Sequence, residues 1–492
     1  MENPATVKNK TLSNVLWLGL RYGGSQLVRF TLGVIIARIL LPENYTVVAI
    51  IAVFTGLATK FITHCLSTAL IQQKDVDDAD CSSVIWMGMI AAAMLYTLLF
   101  FVAPWIAGFY ALPEITMGIR VMSLSLFFSA ISTVFHARLA RQMKFKKLTI
   151  ASLIAQWASA GLGLALAYYG FGMWALVWQQ LSFEILACVA QYFMSRWLPK
   201  LRLDFSRLKR LFQYGWKILA ANLLSTVYND LTSLVLGKVF PGDALAYYNK
   251  GRQMPSIVSE NLNDAVIAAL FPVFAKHQDD LARERDLVRK TLRVNAFVVF
   301  PLMAGFALVA EPLIGLLLTD KWLPAAPYML PAAILWALYP LDCTLMQAIC
   351  AVGRSGLHLI LEIIRRVFGL IALCIAAFVF KTPMAIAWSV TIYGLFSMLQ
   401  AMVVAKPFFN YPLRDQLADI LPPLLLCAAM ALAVWPISLI ALPRLALLLV
   451  QIVVGIIVYV GLAALLRLEV FRYVIAMLKE FFKKLKQREA KA

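Results

Sequence analysis

Residues 82–107 read SSVIWMGMIAAAMLYTLLFFVAPWIA, 26 positions without one Asp, Glu, Lys, Arg or His. At ~1.5 Å per residue a helix of that length runs ~39 Å, more than the ~30 Å hydrocarbon core of a bilayer. The pattern repeats along all 492 residues, of which 62% are apolar and 14% charged, with a mean hydropathy of +0.79. That balance excludes a soluble globular protein. Apolar runs between polar breaks fall at 12–36, 47–71, 82–107, 115–135, 149–169 and 172–194, then at 214–236, 254–274, 292–318, 327–352, 357–380 and 383–405, and finally at 420–439 and 445–466. The expectation is an all-α integral membrane protein of about fourteen transmembrane helices, built as two six-helix lobes around a central cavity plus two C-terminal helices.

The net charge of +19 would suggest nucleic acid in a soluble chain, but a membrane protein collects Lys and Arg on its cytoplasmic side anyway. Alternate loops hold 30 and 7 of the 45 basic residues, the rich set including both ends of the chain. Both termini are therefore predicted cytoplasmic, no nucleic-acid partner is expected, and the polar start (Met1 to Lys10) leads into a run too long for a cleaved signal core. The domains follow: 1–198 a first lobe, 199–213 a basic amphipathic cytoplasmic linker, 214–405 a second lobe, 406–466 two further helices, and 467–492 a basic tail. In the tail Phe471, Val474, Ile475, Leu478, Phe481, Phe482 and Leu485 share a helical stripe, as expected of a helix on anionic lipid.

The lobes carry a faint internal repeat. Ala37-Arg38-Ile39-Leu40-Leu41-Pro42-Glu43-Asn44 after the first helix matches Gly237-Lys238-Val239-Phe240-Pro241-Gly242-Asp243 after the seventh in its order of basic, apolar, Pro, acid. Six helices per unit preserve orientation, as in a parallel duplication about an axis along the membrane normal.

Ionisable groups inside membrane spans are costly and mark pathways or pairs. The first lobe carries Arg21, Arg29, Lys60 and His64, and the second Arg365 and Arg366, with Glu362 three and four residues before them. Arg21 and Lys60 fall ~14–16 Å from the cytoplasmic end of their spans, and Arg365 and Arg366 ~12–14 Å from the same side. A basic ring across both lobes is expected to bind an anionic ligand. Asp230, Glu260, Asp264 and Asp342 are candidates for ion coupling or for pairing with the bases, as is Glu184. Arg120, Lys217 and Arg293 lie near span ends and read as snorkelling. The seven cysteines are scattered, with no C-x-x-C, so neither a metal nor another cofactor is expected. There is no P-loop, nucleophile elbow or H-E-x-x-H, and the chain does not read as an enzyme.

Several ordered motifs resemble one family. Ala37 to Tyr45, Thr68-Ala69-Leu70-Ile71-Gln72-Gln73-Lys74, Leu270-Phe271-Pro272-Val273-Phe274-Ala275-Lys276 with Gln278-Asp279-Asp280, Asp320-Lys321-Trp322, and Ala351-Val352-Gly353-Arg354 are similar to bacterial polysaccharide flippases of the multidrug/oligosaccharidyl-lipid/polysaccharide exporter superfamily, nearest the colanic acid exporter branch. Thr46 stands where the family carries Gly, and Thr63-His64-Cys65-Leu66 replaces a Gly-containing acidic stretch. The resemblance implies flipping of an undecaprenyl-pyrophosphate-linked oligosaccharide repeat unit across the bacterial inner membrane for exopolysaccharide or lipopolysaccharide synthesis, by alternating access. It also implies membrane lipids and a polysaccharide polymerase with chain-length machinery as partners. A cation-coupled drug exporter of the same fold is the alternative, and would prefer an acidic first-lobe cavity.

Overall fold

A computed structural model describes residues 26, 28–72, 77–200, 226–227, 229–276, 281–351, 355–440, 442–476 and 479. Arg21, the linker from residue 201 on, and most of the basic tail lie outside them. The described chain is helical: α1 (28–39), α2 (Pro42–Gln72), α3 (Asp78–Tyr110), α4 (Glu114–Met122), α5 (Ser125–Arg141), α6 (Phe145–Tyr168), α7 (Met173–Ser195), α8 (229–239), α9 (Ala244–Lys276), α10 (Leu281–Leu308), α11 (Ala310–Leu317), α12 (Met329–Ala351), α13 (Ser355–Ile375), α14 (Pro383–Phe409), α15 (Leu413–Val434), α16 (Arg444–Leu465) and α17 (469–476). Eleven helical stretches among the described residues are long and apolar enough to cross a membrane. The fold class is the expected one; the full count of fourteen would need residues outside the described set.

Some boundaries move for local reasons. The 115–135 run breaks at Ser123–Leu124 into α4 and α5, and the 292–318 run breaks at Val309 into α10 and α11. A short 3₁₀ segment (Asp320–Tyr328) with Pro324 and Pro327 then leads into α12, because proline lacks the N–H an α-helix needs. Helix α9 starts at Ala244, ten residues before the apolar run at 254–274, so Lys250 and Arg252 lie in its first turns. Asp77 caps α3 in a reciprocal box with Asp80, which fixes where that span begins.

The chain forms two compact units, dividing after Ala246. In the first, α6 and α7 approach closely because small residues line α6. A Cβ on Gly163 would fall 2.8 Å from Cβ of Gln179. Ile36, Leu40, Ala167 and Ala175 form a buried cluster, and Leu70, Cys81, Val84, Ile85, Val134 and Ala137 another. This is packing through small side chains, the usual solution where lipid supplies no hydrophobic drive between helices. The two repeat motifs meet in this unit: Thr46 Oγ1 donates to the Gly242 carbonyl at 3.1 Å, so the hydroxyl that replaces the family's Gly ties the start of α2 to the turn before α9.

The second unit has the larger apolar core, running through Leu292, Phe297, Leu345, Ile349, Met402, Phe409 and Tyr459. Phe471 and Val474, expected on the lipid-facing stripe of the tail, pack against this core, with Phe471 6.2 Å from the Phe297 ring.

Candidate functional site

Charge buried among helices is organised differently in each unit. In the second, Arg365 sits on α13, 2% exposed, ~15 Å from the helix start. Its guanidinium donates to Asp342 Oδ1 and Oδ2 on α12 at 2.8 and 3.1 Å, to Gln400 Oε1 on α14 at 2.6 Å, and to the Ser397 carbonyl at 3.0 Å. A further bond reaches Glu362 at 3.4 Å, and Ser397 Oγ donates to Asp342 at 3.1 Å. Every N–H face of Arg365 is engaged, so it cross-links α12, α13 and α14. Arg366 extends away from this knot, held by Glu362 Oε2 at 3.1 Å, with Tyr393 beside it. The fixed fork of an arginine suits such bidentate, multi-helix contact, which a lysine could not reproduce.

Asp342 is thereby committed to Arg365. Glu260 and Asp264 are exposed one turn apart on α9, with Arg252 near Glu260. Asp230, half-buried on α8, has a partner of its own.

The first unit's bases stand otherwise. Arg29 on α1 is exposed and Lys60 on α2 is half-buried, and neither makes a hydrogen bond or ion pair among the described residues. His64 follows Lys60 one turn on in α2; its side chain is not among those described, and Arg21 lies outside the described residues. Glu184, half-buried in α7, likewise makes no ion pair or hydrogen bond among the described residues. Arg120, read as snorkelling, covers the Phe100 ring at 4.0 Å and donates to the Phe100 carbonyl at 3.3 Å.

A second ionic knot was not legible in the chain. Asp419 on α15, its side chain 3% exposed, accepts from Arg289 Nε at 2.6 Å, from Arg293 Nε at 2.7 Å and from the Tyr411 hydroxyl at 2.6 Å. Burial and the bond to Asp419 push the Tyr411 phenol up from its ordinary value. Arg293, expected to snorkel, is instead shared between Asp419 and Glu469, the latter at 3.5 Å. Asp419 stands one residue before the apolar run at 420–439, where a carboxylate reads as a loop charge; only the approach of α10 reveals its partners.

Known proteins place this architecture. Residues 35–327 match the family described as "Polysaccharide biosynthesis protein". The chain is 26% identical over 325 residues to the succinoglycan biosynthesis transport protein ExoT of Rhizobium meliloti (strain 1021), the match covering 66% of each chain. It is 24% identical over 375 residues to the teichuronic acid biosynthesis protein TuaB of Bacillus subtilis (strain 168), covering 75% of this chain and 77% of that one. In structure it is similar to the lipid II flippase MurJ in an inward closed conformation, with a TM-score of 0.73 at 17% identity, over 94% of this chain and 100% of that chain. An inward-facing multidrug resistance transporter of the MATE family superposes with a TM-score of 0.54 at 13% identity, over 81% and 99%. At such identities the structural likeness speaks for the fold alone.

Proposed function

The chain belongs to the polysaccharide biosynthesis protein family, and from that premise we propose that it flips an undecaprenyl-pyrophosphate-linked oligosaccharide across the bacterial cytoplasmic membrane, serving exopolysaccharide or related surface-polysaccharide synthesis. It is a transporter in this reading, with no chemistry of its own. The observation that carries the reading is the pair Arg29 and Lys60, two bases on membrane helices of the first unit with no intramolecular partner among the described residues. A cation at the bilayer centre costs about 2.5–3.5 kcal/mol. No described residue of the unit offsets that cost, which supports an anionic ligand there, and a pyrophosphate or uronic acid headgroup has the matching charge.

Arg21 and His64 join Arg29 and Lys60 as headgroup contacts in the first unit, and in the second unit Arg366 is a candidate anion contact of its own. Arg365 acts behind it, holding α12, α13 and α14 together so that Arg366 keeps its place. Glu260 and Asp264 are the carboxylates best placed to take up a coupling proton or cation, since Asp342 is occupied. The prenyl tail stays in lipid and the units alternate access to the two membrane faces. The 30 to 7 bias of basic residues supports cytoplasmic termini, from which the linker and tail would face polymerase or chain-length machinery.

Reconstitution in vesicles with a fluorescent lipid-pyrophosphate oligosaccharide tests this. Wild type transfers the probe between leaflets, and Arg29→Ala and Lys60→Ala lose transfer while remaining folded. A wild type that moves organic cations but not this probe supports the drug exporter instead.

A further inference from the structure

Helices α10, α15 and α16 frame an apolar groove of about 470 Å³ whose walls include Pro301, Leu302, Phe306, Val434, Ile456 and Val460. At one end it meets a more polar cavity of about 650 Å³ whose walls carry Glu311, Ser438 and Arg444. Leu308 and Gln451 line both. Gln451 is 2% exposed, yet neither its amide nitrogen nor its amide oxygen has a hydrogen-bond partner. A buried amide left unsatisfied is destabilising, because its lost hydration is not replaced. The surrounding wall is hydrocarbon, so the missing partner belongs to whatever occupies the groove.

The spacing along α16 says what that is. Arg444 opens the helix, Gln451 lies ~10 Å further in, and Val460 ~14 Å beyond Gln451. The last interval is about half the ~30 Å hydrocarbon thickness, one leaflet, and the first matches the ~5–8 Å of headgroup region plus its boundary with hydrocarbon. Charge narrows the choice. The Arg444 guanidinium pairs with Asp320 but its side chain remains 48% exposed, and the Glu311 carboxylate, also exposed, has no hydrogen bond or ion pair among the described residues. A cation and an anion on one cavity suit a headgroup of both signs.

We infer that this double cavity is a binding site for a glycerophospholipid with a zwitterionic amine headgroup. One acyl chain fills the groove, an ester carbonyl accepts from Gln451 Nε2, the phosphate meets Arg444 and the ammonium meets Glu311. A polyprenyl pyrophosphate fits less well, since it has no ester at the depth of Gln451 and would bring only negative charge to Glu311.

The test uses the full chain, delipidated in detergent, with dioleoyl phosphatidylethanolamine, phosphatidylglycerol or undecaprenyl phosphate added and unfolding followed by temperature. Phosphatidylethanolamine raises the wild-type Tm by about 2 °C or more at saturation. Gln451→Leu loses that rise and, freed of its unpaired amide, melts without lipid at or above the wild type. Glu311→Gln, at an exposed position, keeps the fold and shifts preference toward phosphatidylglycerol by about fivefold, roughly 1 kcal/mol. The inference is overturned by an equal rise in wild type and Gln451→Leu, by an unchanged preference in Glu311→Gln, or by undecaprenyl phosphate giving the rise in place of phosphatidylethanolamine. If Gln451→Leu does not fold, the Glu311→Gln preference decides alone.

Discussion

Arg29 and Lys60 stand on α1 and α2 without a partner among the described residues, whereas Arg365, buried in α13, is surrounded by Asp342, Glu362, Ser397 and Gln400. All three are bases on helices; burial and surroundings differ. In the second unit the cost of burying an arginine is offset within the fold, and what it returns is a cross-link between three helices. In the first unit no described residue pairs with Arg29 or Lys60, and helices such as α6 and α7 are joined by close contact of small residues such as Gly163 instead. A charge already satisfied gains little from a ligand, while an unsatisfied one gains much, so the first unit is the better place to look for binding and the second for rigidity.

The sharpest way to break this contrast is Arg365→Met. Removing it leaves the Asp342 carboxylate with the Ser397 hydroxyl and no cation, and the expected loss of stability is about 3–5 kcal/mol, read by thermal or denaturant unfolding in detergent. The double variant Arg365→Met with Asp342→Leu recovers most of that loss, because both charges leave together. A stable Arg365→Met that has lost transport would instead move this arginine to the ligand.

Asp419→Ala comes next, at about 2–3 kcal/mol, since it leaves Arg289, Arg293 and the Tyr411 hydroxyl short of an acceptor. Faster proteolysis after α16 would accompany it, because Arg293 also holds Glu469. Gly163→Ala sharpens the comparison from the other side. Its new Cβ meets Gln179 at 2.8 Å and should cost about 1–2 kcal/mol, while Gly161→Ala, with open space around it, should be neutral or slightly stabilising in the same melting assay. The smallest change in energy is expected for Lys60→Ala. Unfolding should move by no more than about 0.5 kcal/mol, yet leaflet transfer should fall about tenfold or more, some 1.4 kcal/mol of lost ligand interaction.

Much of this was legible in the chain before folding. Apolar length alone announced membrane helices, and Glu362 was visible as a neutralising neighbour at i−3 and i−4 to the two arginines. What sequence spacing could not supply was any partner from another helix. Asp342, Ser397 and Gln400 lie 23, 32 and 35 positions from Arg365, and Asp419 lies 130 from Arg289, distances at which no local pattern operates. The basic ring foreseen across both lobes treated Arg365 as equivalent to Lys60 for that reason. Arg293 misled in the same way: near a span end a long basic side chain ordinarily reaches for water, but here a buried carboxylate was closer.

Composition and spacing along the chain suffice to make this a helical membrane protein and to say roughly where its spans lie and its basic loops concentrate, because hydrocarbon imposes on each segment a requirement it must meet alone: satisfy its own backbone and present an apolar surface. Which charges are spent inside the protein and which are left over was decided only by tertiary structure. A charge's fate depends on what neighbouring helices bring within ~3 Å of it, and that is a property of packing, not of the segment that carries it.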